Sequence, residues 1–133
     1  MKISTKGRYA LRVMLDIATH PDGGPTSLAG VAERQEISLK YLESIVAALS
    51  KAGLLKSFRG KTGGYILGRA PEQITVLEIL EAAEGSLAPV GCVENGCPRL
   101  SVCGTVALWK KLDSVICDYL GGVTLKDVAN GKL

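Results

Sequence analysis

Aromatic residues make up only 5% of this sequence, with a single Phe and a single Trp, so any core must be mainly aliphatic. There is one histidine and no cluster pairing a base with a nucleophile, which argues against a conventional enzyme. No run approaches the roughly 20 apolar residues of a membrane span. Lys2 and Lys6 are not followed by the continuous apolar stretch of a signal peptide, so a cytoplasmic location and no membrane partner are the expectation. Internal repeats and low-complexity tracts are also missing. What is present, 133 residues at 47% hydrophobic and 22% charged, fits one domain, or one domain with an appendage, able to bury its own core.

The net charge of +3 is unevenly spread. Residues 1–70 carry 11 Lys and Arg against 5 Asp and Glu, whereas residues 71–133 carry 5 against 8. A basic front half suits a polyanion, because phosphate neutralisation with counterion release dominates nucleic-acid binding.

The front half also has a recognisable order of elements. Ser4 or Thr5 can cap a first helix with an apolar stripe of Tyr9, Leu11, Val13, Met14, Ile17 and Ala18. It must stop near His20, before the turn cluster Pro21-Asp22-Gly23-Gly24-Pro25. Thr26 or Ser27 caps a short second helix ending about Gln35. Ser38 then caps a third, in which Leu39, Leu42, Ile45, Val46 and Leu49 recur at helical spacing and Gly53 is a natural residue past the C-terminus. Two short helices with a tight connection form a helix-turn-helix. Strand-like residues 54–58, the basic Gly-rich tip Arg59-Gly60-Lys61-Thr62-Gly63-Gly64 and a return strand at 65–67 follow directly, and the combination is a winged helix.

In such a fold the outward side chains at the start of the recognition helix meet base edges. Here these are Ser38, Lys40, Tyr41 and Glu43, with Leu39 and Leu42 expected to point inward. Lys40 would contact guanine or phosphate, and Glu43 would accept from cytosine N4. Arg59 and Lys61 on the wing would reach a minor groove or phosphates. Lys6 and Arg8 would contact phosphates at the first helix start.

Thr75-Val76-Leu77-Glu78 is a capping box opening a helix that runs to about Glu84. A longer helix covers about 105–120, with Val106, Trp109, Leu112, Val115, Ile116 and Tyr119 on one broad apolar face; Thr124 starts a short last helix. The long helix would pack on its own domain or against a second copy. The second arrangement suits helix-turn-helix proteins, which commonly dimerise on palindromic sites.

Between these helices lies a stretch with neither helical nor strand period, carrying Cys92, Cys97 and Cys103 among glycine and proline. Clustered cysteines favour metal or redox chemistry over a disulfide framework in an intracellular chain. The three thiols could hold an iron–sulfur cluster, hold zinc at spacings loose for a zinc knuckle, or stay unligated. Cys117, inside a helical pattern, reads as a buried small hydrophobe. A thiol switch would need positive charge nearby, and Arg99 is the only local candidate. A small iron–sulfur carrier protein is the alternative from another class.

Residues 1–10, the run Ile37-Ser38-Leu39-Lys40-Tyr41-Leu42-Glu43, the run from Arg59 to Tyr65 and the three-cysteine segment resemble the IscR-like family of winged-helix transcriptional regulators, which also includes NsrR and CymR types. The resemblance runs through essentially the whole chain. It implies a mostly α protein: a winged helix-turn-helix DNA-binding domain at 1–84, a cluster-binding cysteine loop at 85–103, and a long dimerisation helix with a C-terminal tail at 104–133. It further implies a homodimer on a double-stranded DNA operator, most simply a repressor of iron–sulfur assembly or sulfur-metabolism genes, with a thiol-redox or nitric-oxide-sensing regulator as the alternative. Cys92, Cys97 and Cys103 match the family's cluster ligands, and the cofactor implied is a [2Fe-2S] cluster. CymR types lack these cysteines. Two departures stand out: the first cysteine interval is one residue short, and Val106 stands where IscR types place a histidine ligand. The carboxylate that NsrR types supply from the first helix corresponds here to Arg8, which leaves the fourth ligand unknown.

Overall fold

The computed structural model describes residues 2–21 and 23–133, so Met1 and Asp22 of the turn cluster lie outside the described residues. Helix α1 spans Thr5–Ala18 and begins where the Ser4 side chain accepts a hydrogen bond from Gly7 N. Helix α2, Leu28–Gln35, is capped by Ser27 through Gly30 N, and α3, Leu39–Lys51, by Ser38 through Tyr41 N. Each serine satisfies one of the backbone donors that a helix start leaves free. Strands β1, Leu55–Phe58, and β2, Gly64–Leu67, pair antiparallel with Leu55 opposite Leu67 and Phe58 opposite Gly64.

The core lies where α1, α3 and the following helix α4, Val76–Glu84, meet. Val13, Met14, Leu42, Ile45, Leu49, Ile74 and Ile79 are fully buried there. No aromatic side chain is among the fully buried ones of the described residues, in line with the aliphatic core expected from composition. Gly64 lies against Thr26: Thr26 N donates to Tyr65 O and Tyr65 N to Thr26 O, both at 2.9 Å. A Cβ on Gly64 would stand 2.3 Å from Thr26 O, so only glycine lets the wing dock this closely.

Thr75 and Glu78 form the expected capping box on α4. The region beyond it was only partly legible. A five-residue helix α5, Gly91–Asn95, forms inside the stretch read as irregular and ends at Gly96 with φ +79. Helix α6 covers Val106–Gly121, and α7, Leu125–Asn130, opens with a second capping box between Thr124 and Asp127. Helix α7 returns to the winged-helix unit: Leu125 is fully buried in the main core, its N donates to Ile74 O, and Val76 N donates to Val123 O. Among the described residues no helix is long and apolar enough to cross a membrane.

Candidate nucleic-acid interface and cysteine segment

The turn between α2 and α3 is held from α1. Glu36 adopts the left-handed conformation at φ 54, and Ile37 N donates to Ala32 O, closing the turn. Arg12 on α1 donates to both the side-chain and backbone oxygens of Gln35, and its guanidinium carbon stands 5.0 Å from the Tyr9 ring centre. Tyr9 meets Tyr41 of α3 edge to face at 5.9 Å. One turn further along α1, Asp16 receives two bonds from Arg34 at 3.1 and 2.7 Å and one from Gln35 at 2.8 Å. Burial pushes the Asp16 carboxyl up, but these bonds and the Arg34 charge outweigh it and hold the group below the usual carboxylate range. The helix-turn-helix angle is therefore set by four polar residues of α1 and α2 together with a tyrosine pair.

With α3 so placed, Ser38, Leu39, Lys40, Glu43, Ser44 and Ala47 face solvent, while Tyr41 is half-buried against Tyr9. Leu39 departs from expectation. The helical spacing points it into the core with Leu42, yet it is 46% exposed while Leu42 is completely buried. On the helix Leu39 falls at the margin of the buried stripe, between Leu42 and the exposed Glu43, rather than at its centre. Ser44 and Ala47 were not anticipated, although the i, i+4, i+7 spacing from Lys40 places them on the same face. Arg59 and Lys61 are exposed at the wing tip. Lys6 is half-buried; Arg8 is exposed and donates to Thr5 Oγ1 at 3.1 Å.

A further electrostatic signature marks this surface. Helices α1, α2, α3 and also α6 carry no acidic residue in their first turns, whereas α4, α5 and α7 carry Glu78, Glu94 and Asp127. Acids normally favour that position through the helix dipole. Their absence from α2 and α3 leaves the N-terminal donors there without an acid in the same turn that would repel phosphate, whereas the start of α1 is closed by the Glu84 carboxylate.

The cysteine segment hangs from Gly85, at φ +85, and joins α6 through Thr105. Cys92, Cys97 and Cys103 are free and half-buried. Arg99 N lies 3.4 Å from Cys97 Sγ, and Cys103 Sγ lies 3.2 Å from Thr105 Oγ1. The Thr105 hydroxyl, helped by the backbone N–H groups of Thr105 and Val106, lowers the Cys103 thiol pKa; the charge of Arg99 is not among the causes. The donor chemistry suits a thiolate-bound iron group. The arrangement does not yet assemble one: among the described residues no set of three or more His, Cys, Asp or Glu side chains is placed to hold a metal ion. Val106 is the first residue of α6 and is half-buried. His20 faces the base of the hairpin, in a cleft with Ile66 and Arg69.

Helix α6 has no buried residue along its 16 positions, and Leu108, Val115 and Tyr119 are 59%, 50% and 57% exposed. Cys117, expected to be buried, is half-buried. Desolvation, with the nearby carboxylates of Asp113, Glu81 and Asp118, raises its thiol pKa.

A helix-turn-helix braced by α1, followed by a basic wing, defines a winged-helix transcriptional regulator. The chain belongs to the Rrf2 family, whose profile, described as an iron-dependent transcriptional regulator, matches residues 3–131. It is 41% identical over 133 residues to the HTH-type transcriptional regulator IscR of Pectobacterium carotovorum, covering 99% of this chain and 81% of that protein. It is 43% identical over 129 residues to IscR of Aliivibrio salmonicida, covering 96% and 77%. Among solved structures, T. potens IscR superposes with a TM-score of 0.81 at 41% identity, covering all of this chain and 89% of the other. CymR (YrzC), the global cysteine regulator of B. subtilis, gives 0.79 at 40% identity, covering 98% and 97%. The relatives are named as transcriptional regulators.

Proposed function

We propose that this protein is a homodimeric, DNA-binding regulator of the IscR type, most simply a repressor, that reads iron–sulfur status through Cys92, Cys97 and Cys103. The observation that carries this reading is the set of three free, half-exposed thiols on the segment that follows Gly85, between the winged helix and α6. The backbone fits IscR and CymR alike; the cysteines favour the former. A [2Fe-2S] cluster, when bound, supplies a centre that iron supply and oxidants can add or remove. For the three thiols to converge on it, the segment must rearrange about Gly85 and Gly96. The exposed face of α6 is the surface for the second copy, and Ser38, Lys40, Tyr41, Glu43, Arg59 and Lys61, with Lys6 and Arg8, form the operator surface. Loss or gain of the cluster would alter operator affinity only if it favours one arrangement of the two recognition helices over another.

Anaerobic reconstitution with iron and sulfide tests this. Visible absorption, an EPR signal on reduction and a change in affinity for a selected duplex are expected, each lost on replacing any of the three cysteines by alanine and kept in Cys117→Ala. No bound iron, or bound iron with unchanged affinity, would sink it. A second reading, a thiol-redox or nitric-oxide-sensing regulator of the same fold, is favoured by the lowered pKa of Cys103. Mild oxidation giving a sulfenate or disulfide that changes DNA affinity, in protein that takes up no iron, would select it.

A further inference from the structure

Two large hydrophobic side chains of the described winged-helix unit, residues 2–84, stand well out in solvent: Leu39 at 46% and Phe58 at 50% exposed. Both lie on the elements read above as facing DNA, the first turn of α3 and the end of β1. Scattered exposed apolar residues are ordinary on protein surfaces, but their confinement to these two elements is not scatter. The rest of α3 packs without slack, since Leu42, Ile45, Val46 and Leu49 are all buried to within 1% exposure. Leu39 instead lies at the solvent margin of that buried face, beside Glu43. Helix stability does not call for leucine there, because an acid would serve the helix dipole better and α3 has none in its first turn.

Base edges in the major groove present one apolar group, the 5-methyl of thymine. We infer that Leu39 is a specificity-determining residue that packs against a thymine methyl in each operator half-site. This rests on α3 being the recognition helix. Leu39 and Glu43 are one turn apart on the same side of α3, so the two read adjacent base pairs by different chemistry, apolar contact for Leu39 and acceptance from cytosine N4 for Glu43.

The test uses the full chain and a duplex selected by it from a random pool. Each thymine of the selected half-site is replaced in turn by deoxyuridine, which removes only the methyl. One position per half-site is expected to weaken wild-type binding about fourfold, the value of one buried methyl group. In Leu39→Ala that penalty should vanish while the melting temperature stays unchanged, and Leu39→Met should retain it in part. No methyl-sensitive thymine, or one whose penalty persists in Leu39→Ala, overturns the role of Leu39 and leaves the recognition helix standing. Selection of no duplex by the wild type overturns both.

Discussion

Glu84, the last residue of α4, closes the start of α1 from 80 positions away: its Oε1 accepts from Ser4 N at 2.9 Å, Ser4 Oγ at 2.6 Å and Gly7 N at 3.1 Å. The next residue, Gly85, opens the cysteine segment, so the same turn of chain anchors the helix bearing Lys6 and Arg8 and suspends the three thiols. A carboxylate at a helix N-terminus is favourable both through the dipole and through charge-assisted bonds.

Gly7 makes the contact possible, since a Cβ there would stand 2.2 Å from Glu84 Oε1. Glu84→Ala is expected to cost about 1–2 kcal/mol of stability. Gly7→Ala should destabilise the wild type by displacing the carboxylate. It should stabilise the Glu84→Ala protein by up to about 1 kcal/mol, the helix-propensity gain, less whatever contact with Ile3 costs. Urea denaturation of the four proteins measures this cycle; additive effects would show that the two residues are not coupled.

Asp16 offers a pH test of the brace on the helix-turn-helix. Its folded pKa lies below the unfolded one. The bonded carboxylate therefore contributes its full stabilisation above the unfolded value, about pH 4, and loses it as pH falls through the folded value. Asp16→Asn should lower stability by about 1–3 kcal/mol at neutral pH. The gap from wild type should hold steady above about pH 5 and narrow below about pH 4. Comparing the pair cancels the other carboxylates with lowered pKa, Glu72, Glu78 and Asp127. Thermal melts across pH would disprove the brace if the gap were flat to the acid limit.

The cysteines should differ in reactivity in a set order. The lowered pKa of Cys103 gives it more thiolate at neutral pH, and the raised pKa of Cys117 gives it less. In iron-free protein, iodoacetamide should modify Cys103 well before Cys117, as followed by peptide mass spectrometry. Thr105→Val, which removes the hydroxyl 3.2 Å from the sulfur, should slow Cys103 and leave Cys117 unchanged. Equal rates at both thiols would contradict the assigned cause.

Features set by neighbours in the chain could be read from sequence. The Thr75–Glu78 box, the Ser38 cap and the basic hairpin each follow from a few consecutive residues, and each forms as expected. The misreadings came where a distant partner, or the end of one, decides. Periodicity gives the face on which Leu39 lies but not that the core stops short of it. Nothing near Glu84 announces Ser4, and Leu125 reaches the main core only because residues 123–125 bond to the chain around Ile74. The cysteine segment stands out by clustering, whereas among the described residues its side chains are not placed to hold a metal ion.

The bare face of α6 predicts an oligomeric state. Val115→Glu and Tyr119→Glu place charge on side chains already half in solvent, so the single chain should fold with little loss. A second copy should be lost, with dimerisation weakened about thirtyfold or more if either residue is a hot spot. Sedimentation equilibrium would read dimer for the wild type and monomer for the variants; a monomeric wild type at micromolar concentration would refute the assignment of this face.

The wing gives a prediction that separates phosphate contact from sequence reading. Arg59 and Lys61 flank Gly60 at φ +110, on a tip where a Cβ on Gly63 would stand 2.3 Å from Phe58 O, and both cations are exposed. If Lys61 contacts phosphate, Lys61→Ala should weaken binding about equally for all duplexes. It should also make the slope of log affinity against log salt shallower by about one per protomer, hence about two for a dimer. If Arg59 enters the minor groove, Arg59→Ala should cost more on duplexes whose flanks are A-tracts, with narrow and strongly negative grooves, than on G·C-rich ones. Binding titrations at several salt concentrations on paired duplexes measure both. Identical slopes for wild type and Lys61→Ala would remove that lysine from the interface, and an Arg59→Ala loss independent of flanking sequence would reduce Arg59 to a phosphate contact.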